Sequence, residues 1–260
     1  MSVLKMPFTD RSKLYSNYDV LARIYQERWN QAYDDEGIQL LEKLVLQHLP
    51  KKAKILDLCC GNGNLIPPLL MKGYQVTGLD GSEELLRYAC EKAPETQFIL
   101  GDARLFEFPP TFHGVVSAGN SLNHVMNLEE LKSVFHNVFA ALLENGLFTF
   151  NLAMEEWYQS DRWNNTQKCS VKDDYIWIWQ QTYDSEEKIG KRQITVMQLI
   201  EKGWQRLDYN LLSKIYSKVQ IESTLANVGF IDITFYDLER DLEVADSLGE
   251  GIFICRKPLS

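Results

Sequence analysis

The chain has 260 residues, 45% of them apolar, which is enough to bury a full core, and it contains no apolar run of the roughly 18 residues that a membrane span needs. A formal net charge of −9 disfavours a nucleic-acid substrate, which requires a basic face, and suits cationic ligands and amines. Five cysteines without CxxC spacing and four histidines without ligand spacing argue against a disulfide framework and a metal site.

Residues 1–7 lack the apolar core of a signal peptide, so a cytoplasmic location is expected. Residues 1–50 read as a helical cap. Apolar side chains recur at helical spacing over 18–25 and 38–48, and Pro50-Lys51-Lys52 turns the chain onward. Tyr18 and Tyr25 share one helical face, and Trp29, one turn further, reads as a packing anchor.

The segment 54–58 is a strand apolar on both faces, as parallel sheets require. It runs into Cys59-Cys60-Gly61-Asn62-Gly63-Asn64, where Gly61 and Gly63 permit a tight turn and close approach of a ligand. A helix over about 64–71 presents its N-terminal amides there. A dinucleotide fingerprint needs a third glycine where this chain has Ile66, and Asp57 would repel a pyrophosphate. The same carboxylate suits the ammonium and sulfonium of S-adenosylmethionine (SAM). The next strand, 75–80, ends in Asp80, which can accept from both hydroxyls of a ribose. Gly81 follows, and Ser82 reads as a helix N-cap. Strand 97–100 leads to Gly101-Asp102-Ala103, where Asp102 could hold an adenine amino group. Strand 114–118 leads to Gly119-Asn120-Ser121-Leu122-Asn123-His124. Polar residues at the C-terminal ends of consecutive strands mark the ligand crevice of an α/β, doubly wound, Rossmann-like sheet.

Over 175–216 the period changes to two, with strand-like runs at 175–183, 192–200 and 204–212. Tyr175, Trp177, Trp179 and Tyr183 point to one side of the first run, with Ile176 and Ile178 on the other. The aromatic side either lines a pocket, where it could stack a ring or hold a cationic amine, or seals the sheet against the core or a second subunit. A helix over 218–227, stopped by Gly229, and strands at 231–237 and 251–256 complete the sheet. The expected division is a cap (1–50), a cofactor-binding core (51–152 plus 218–260) and an inserted antiparallel β lid (153–217).

These residues resemble the class I SAM-dependent methyltransferases. Leu56-Asp57-Leu58-Cys59-Cys60-Gly61-Asn62-Gly63 matches the first motif of that family, Gly78-Leu79-Asp80-Gly81-Ser82 the second and Gly101-Asp102-Ala103 the third. Leu142-Leu143-Glu144-Asn145-Gly146-Leu147-Phe148 matches the passage into its fifth strand. The resemblance spans about 18–152 and, more loosely, the tail from 218. Ser121-Leu122-Asn123-His124, Gly251-Ile252-Phe253-Ile254 and the inserted strands are most similar to small-molecule N-methyltransferases, including those that dimethylate sugar-nucleotide amines. The resemblance implies a seven-stranded sheet of the class I type and SAM as cofactor. Its binding set is Tyr18, Tyr25, Asp57, Cys59, Gly61, Gly63, Asn64, Asp80, Gly81, Ser82, Asp102, Ala103, Gly119 and Asn120. In that family a tyrosine-bearing N-terminal helix folds over the cofactor, and a phenol can bond its methionine carboxylate. Cys59 stands where a small residue is usual and crowds the methionine end.

The expected reaction is in-line transfer of the methyl group to a small-molecule acceptor, first of all an amine nitrogen. Alignment alone can supply about 7–11 kcal/mol, and a general base about 10²–10⁴-fold. His124 is the candidate base or orienter, with Tyr18 beside it. An imidazole of ordinary pKa, about 6.5, takes a proton at neutral pH. The competing reading packs His124 against a helix beginning near Leu128. Acceptor contacts are expected from His124, Asn123, Trp177 and Trp179. No metal, nucleic acid or membrane enters, and a homodimer is the assembly considered. The alternatives are a non-catalytic SAM-binding regulatory protein, an O- or carboxyl-methyltransferase, and an NAD-type oxidoreductase, which Asp57 and Ile66 disfavour.

Overall fold

The computed structural model describes residues 4–5, 16–28 and 35–259, so Trp29 lies outside the described residues. One sheet begins with the edge strand β1 (Leu4–Lys5), and the apolar runs form its inner strands β2 (Lys54–Leu58), β3 (Gln75–Asp80), β4 (Gln97–Leu100), β5 (Phe112–Ser117) and β6 (Leu142–Ala153). The last two strands are β11 (Ile231–Asp237) and β12 (Glu250–Arg256). The order is β1-β4-β3-β2-β5-β6-β12-β11, with β12 antiparallel to both its neighbours. The seven expected strands are present. The eighth is the two-residue β1, parallel to β4, too short to leave a periodic signal. Strand order reverses between β2 and β5, and this switch point opens a crevice at their C-terminal ends.

Helices cover both faces. The first face packs α5 (Leu128–Ala141) and α7 (Lys218–Val228) on a core that includes Leu56, Leu58, Phe148 and Phe253. The second packs α2 (Asp35–Leu44), α3 (Ile66–Met71) and α4 (Glu83–Lys92) around Ile55, Val76 and Ile254. Local chemistry fixes the helix ends. Ser82 accepts from Leu85 N at 3.2 Å to cap α4, Ser217 and Gln220 form a capping box on α7, and Gly229 ends α7 with φ 112°. The turn after β2 continues to Leu65, so α3 starts two residues later than the glycine pattern implies.

A second sheet has the order β10-β9-β8-β7, antiparallel throughout, from β7 (Thr166–Val171), β8 (Tyr175–Asp184), β9 (Ile189–Ile200) and β10 (Gly203–Lys214). A short α6 (Glu155–Gln159) leads into it. Helix α1 (Ser16–Arg28) joins the two sheets. Its Leu21 and Ile24 are buried among Tyr175, Trp177, Ile194 and Val196, which stabilises the contact by about 1.5–3 kcal/mol per side chain. Toward the core, Asp19 accepts from Ser82 Oγ at 2.6 Å and Glu84 N at 3.1 Å. Among the described residues no helix is long and apolar enough to cross a membrane, and all five cysteines are free thiols.

Candidate active site

A cavity of about 960 Å³ occupies the crevice at the ends of β2, β3 and β5, beneath α1 and the second sheet. That is the upper end of the roughly 300–1,000 Å³ usual for one ligand, so a cofactor and an acceptor can share it.

The floor comes from the turn after β2. Cys59, Gly61 and Gly63 all adopt left-handed backbone, with φ 60°, 54° and 74°. At Cys59, which carries a Cβ, that conformation costs about 1–2 kcal/mol and bends the chain beneath the cavity. A Cβ on Gly61 would meet nothing within 4 Å, so this position opens onto the cavity. A Cβ on Gly63 would lie 2.8 Å from that of Ala89, so Gly63 lets the turn pack on α4 and does not line the cavity. Asn64 lines the wall with its carboxamide oxygen taken by Lys92 Nζ.

Asp57 is 2% exposed and its Oδ2 has no hydrogen-bond partner. Burial, and then the nearby charge of Asp80, push its carboxyl up to about 8. Asp80 accepts from Gly61 N at 2.8 Å through Oδ2 and from Ser82 N at 2.9 Å through Oδ1. Burial outweighs these bonds and pushes it up to about 6. Each oxygen keeps a lone pair for a hydroxyl. Gly81, Ala103, Gly119 and Asn120 also line the cavity, as does Cys59, whose thiol is pushed well above its ordinary value by burial.

Several expected residues lie elsewhere. Asp102 is outside the lining and is ion-paired to Arg104, with Nη2 2.7 Å away, while Arg104 also meets Glu130 at 3.1 Å. Its flanking residues Gly101 and Ala103 are the ones at the cavity. The Ser82 hydroxyl is spent on capping and on Asp19. Asn123 donates to Ala153 O at 3.1 Å and Lys214 O at 3.0 Å, and accepts from Ala153 N at 2.9 Å. It staples the loop after β5 to β6 and β10. Trp177 is buried against α1, while Trp179 reaches the cavity, so the aromatic side of β8 both seals and lines.

His124 is on the cavity wall, with Nδ1 2.7 Å from Leu212 O. Burial lowers its pKa to about 4, with the Leu212 bond opposing that shift and Arg192 adding to it. The imidazole is therefore neutral at pH 7, unlike the ordinary histidine expected from sequence. The His124 ring stands edge-on to Tyr18 at 5.7 Å, and Tyr18 edge-on to Tyr25 at 5.6 Å. Burial pushes both phenols up. The lining also holds residues that the sequence reading passed over: Arg28, Tyr158, Trp163, Gln181, Arg192 and Glu250. Of these, Arg192 had a legible signal, being a cation in phase with the apolar Ile194 and Val196 on β9.

The methyltransferase domain family matches residues 55–146. YqeM of Bacillus subtilis (strain 168), which carries the provisional name of a methyltransferase, is 28% identical over 217 residues, covering 82% of this chain and 86% of its own. The dTDP-3-amino-3,6-dideoxy-alpha-D-glucopyranose N,N-dimethyltransferase of Streptomyces fradiae is 30% identical over 118 residues, 45% of either chain. A solved S-adenosylmethionine-dependent methyltransferase from Clostridium acetobutylicum ATCC 824 has the same fold, with TM-score 0.74 at 21% identity over 94% of this chain and 100% of that one. The floor suits such a cofactor on its own chemistry. The unpartnered Asp57 oxygen matches a cation, Asp80 has acceptor capacity for a ribose, and Gly61 leaves room for close approach.

Proposed function

We propose that this chain, a SAM-dependent methyltransferase of the class I fold, methylates an amine nitrogen of a small molecule. The observation that carries this reading is the state of His124. A carbonyl oxygen only accepts, so the bond to Leu212 O assigns the proton to Nδ1 and makes Nε2 the bare nitrogen. A bare imidazole nitrogen accepts from an N–H and so orients the amine's own lone pair. A carboxylate acceptor has no such proton to give. A hydroxyl acceptor needs a base matched to the working pH, and a histidine with pKa about 4 is poorly matched. The similarity to an amino-sugar N,N-dimethyltransferase supports the same acceptor class.

When bound, SAM supplies a methyl group already activated by its positive sulfur. The chain then has to hold, orient and exclude water. In this reading Asp57 faces the cationic end of the cofactor, Asp80 the ribose, and Gly61, Gly81, Ala103, Gly119 and Asn120 form the walls. Tyr18 and Tyr25 close over it from α1, which the Asp19–Ser82 bond ties to the core. His124, with Tyr18 against its edge, orients the acceptor, and residues 153–217 act as the lid. The setting is the cytoplasm. The assembly is a homodimer covering apolar residues that the second sheet exposes, such as Val171 and Trp204.

The test measures S-adenosylhomocysteine release with matched acceptors, each amine paired with its hydroxyl and carboxyl analogues. Turnover of amines above their analogues is expected. Preference for a hydroxyl or carboxyl member would overturn the amine reading.

A further inference from the structure

We propose that the acceptor also carries an oxyanion, a carboxylate or a phosphate, and that Arg192 is the residue that selects for it. This rests on the small-molecule methyltransferase reading and adds the acceptor's second functional group. The chain as a whole is acidic, with net charge −9, yet the side of its cavity formed by α1 and residues 153–217 carries Arg28, Arg162, Lys168 and Arg192 beside Asp161. Three elements contribute: Arg192 from β9, Arg28 from the end of α1 and Lys168 from β7. Two of them gather around one indole. The guanidinium carbons of Arg192 and Arg28 each lie 4.8 Å from the Trp179 ring centroid. Arg192 is also 4.9 Å from Trp163, and Arg28 5.4 Å from Trp177. Lys168 is pushed below the ordinary lysine range, by burial first and by Arg28 and Arg192 after it.

Sheet register explains why Arg192 matters most. It pairs with Gln181 of β8 and Leu211 of β10, both on the cavity wall, and shares the inward face of β9 with the buried Ile194 and Val196. The rings of Trp163 and Trp179 lie against it and Gln181 is beside it, so a bound counter-ion would meet a partly desolvated guanidinium. Aromatic rings hold a guanidinium by its face, and the planar edge of donors has the geometry of a carboxylate or phosphate fork. Arg192 also reaches the Tyr25 hydroxyl and acts electrostatically on Tyr18 and His124. It therefore stands between the lid tryptophans and the group that would orient the acceptor nitrogen. An acceptor with its amine at His124 would have its oxyanion at Arg192.

The methionine carboxylate of the cofactor has the same chemistry, so the experiment must occupy that group first. Full-length protein is saturated with S-adenosylhomocysteine and titrated calorimetrically with inorganic pyrophosphate and, separately, malonate. The expected result is millimolar or tighter binding of at least one anion, weakened about tenfold or more in Arg192→Gln and less in Arg192→Lys. S-adenosylhomocysteine affinity should stay within about twofold in both variants, which also reports that each is folded. The tighter probe tells a phosphate-bearing from a carboxylate-bearing acceptor. The proposal is overturned if neither anion binds the wild type, or if Arg192→Gln binds them equally well. It is also overturned if that variant loses S-adenosylhomocysteine affinity while anion binding persists, which would assign the guanidinium to the cofactor. Absence of S-adenosylhomocysteine binding to the wild type would instead strike the methyltransferase reading itself.

Discussion

Replacing Asp57 by asparagine separates the two effects of a buried, unpartnered carboxylate. In the unliganded fold its pKa is about 8, against 3.8 for the free group, because burial disfavours its charge. Between those values the folded chain keeps a proton that the unfolded chain has lost. This group therefore makes stability fall as pH rises through the window, by up to about 1.4 kcal/mol per pH unit, and the loss levels off above pH 8. Integrated to pH 8, the cost is roughly 5 kcal/mol. A carboxamide at this position carries no such charge, so unliganded Asp57→Asn should match the wild type near pH 4 and exceed it by several kcal/mol at pH 8. SAM binding should move the other way. A hydrogen bond to a charged partner contributes about 1.5–3 kcal/mol, so the variant should bind SAM about 10- to 150-fold more weakly. Wild-type binding at pH 7 should release a proton from Asp57, and variant binding should not. Urea unfolding across pH, with titration calorimetry in two buffers of different ionisation enthalpy, measures all three quantities. Identical pH slopes in the two proteins, or equal SAM affinity, would refute the assignment of Asp57 to the cofactor's cation.

Asp80→Ala should weaken SAM by more than about 1.5 kcal/mol by calorimetry, since it removes a charged acceptor and the anchor of the Gly61 and Ser82 amides. Gly63→Ala should lower stability to urea by about 2–5 kcal/mol, from the clash with Ala89 and the cost of φ 74°, and rescue by high SAM concentration should be partial. His124→Asn should lower turnover by up to about 10²-fold, the cost of a misaligned acceptor, with SAM affinity nearly unchanged, as steady-state kinetics and calorimetry would show. Because His124 has a pKa of about 4, it is already neutral above pH 5, and the rise of wild-type kcat/KM above pH 6 should follow the pKa of the acceptor amine. An inflection that stays fixed while acceptor pKa varies would contradict this.

The parts of the fold that the sequence made legible are those where burial leaves a pattern. Strands β2, β3 and β4 carry buried apolar residues that lead into Cys59-Cys60-Gly61, Asp80 and Gly101, and they form where that pattern puts them. Strand β7 escaped because it is an edge strand with mostly exposed polar residues, and α6 because five residues carry no helical period. At the site, Asp57 and Asp80 were legible because acids at the ends of buried strands have few structural uses. Asp102 fits the same motif, but Arg104, two residues on, takes its carboxylate, and spacing cannot show which partner a side chain prefers. Asn123 looked like an acceptor ligand, yet its amide is spent on backbone 30 and 91 residues away. The neutral state of His124 depends on Leu212, from another sheet, and no local pattern carries that contact.

The most direct test of amine methylation follows the methyl group itself. The purified chain is incubated with SAM carrying a ¹³C-labelled methyl and a small-molecule extract, and the products are read by one-bond ¹H–¹³C correlation. New labelled signals in the N-methyl region, absent without protein and strongly reduced with Asp80→Ala, are the predicted result. Labelled signals confined to the O-methyl or methyl-ester regions, or no transfer by a protein that binds SAM in the same sample, would contradict it.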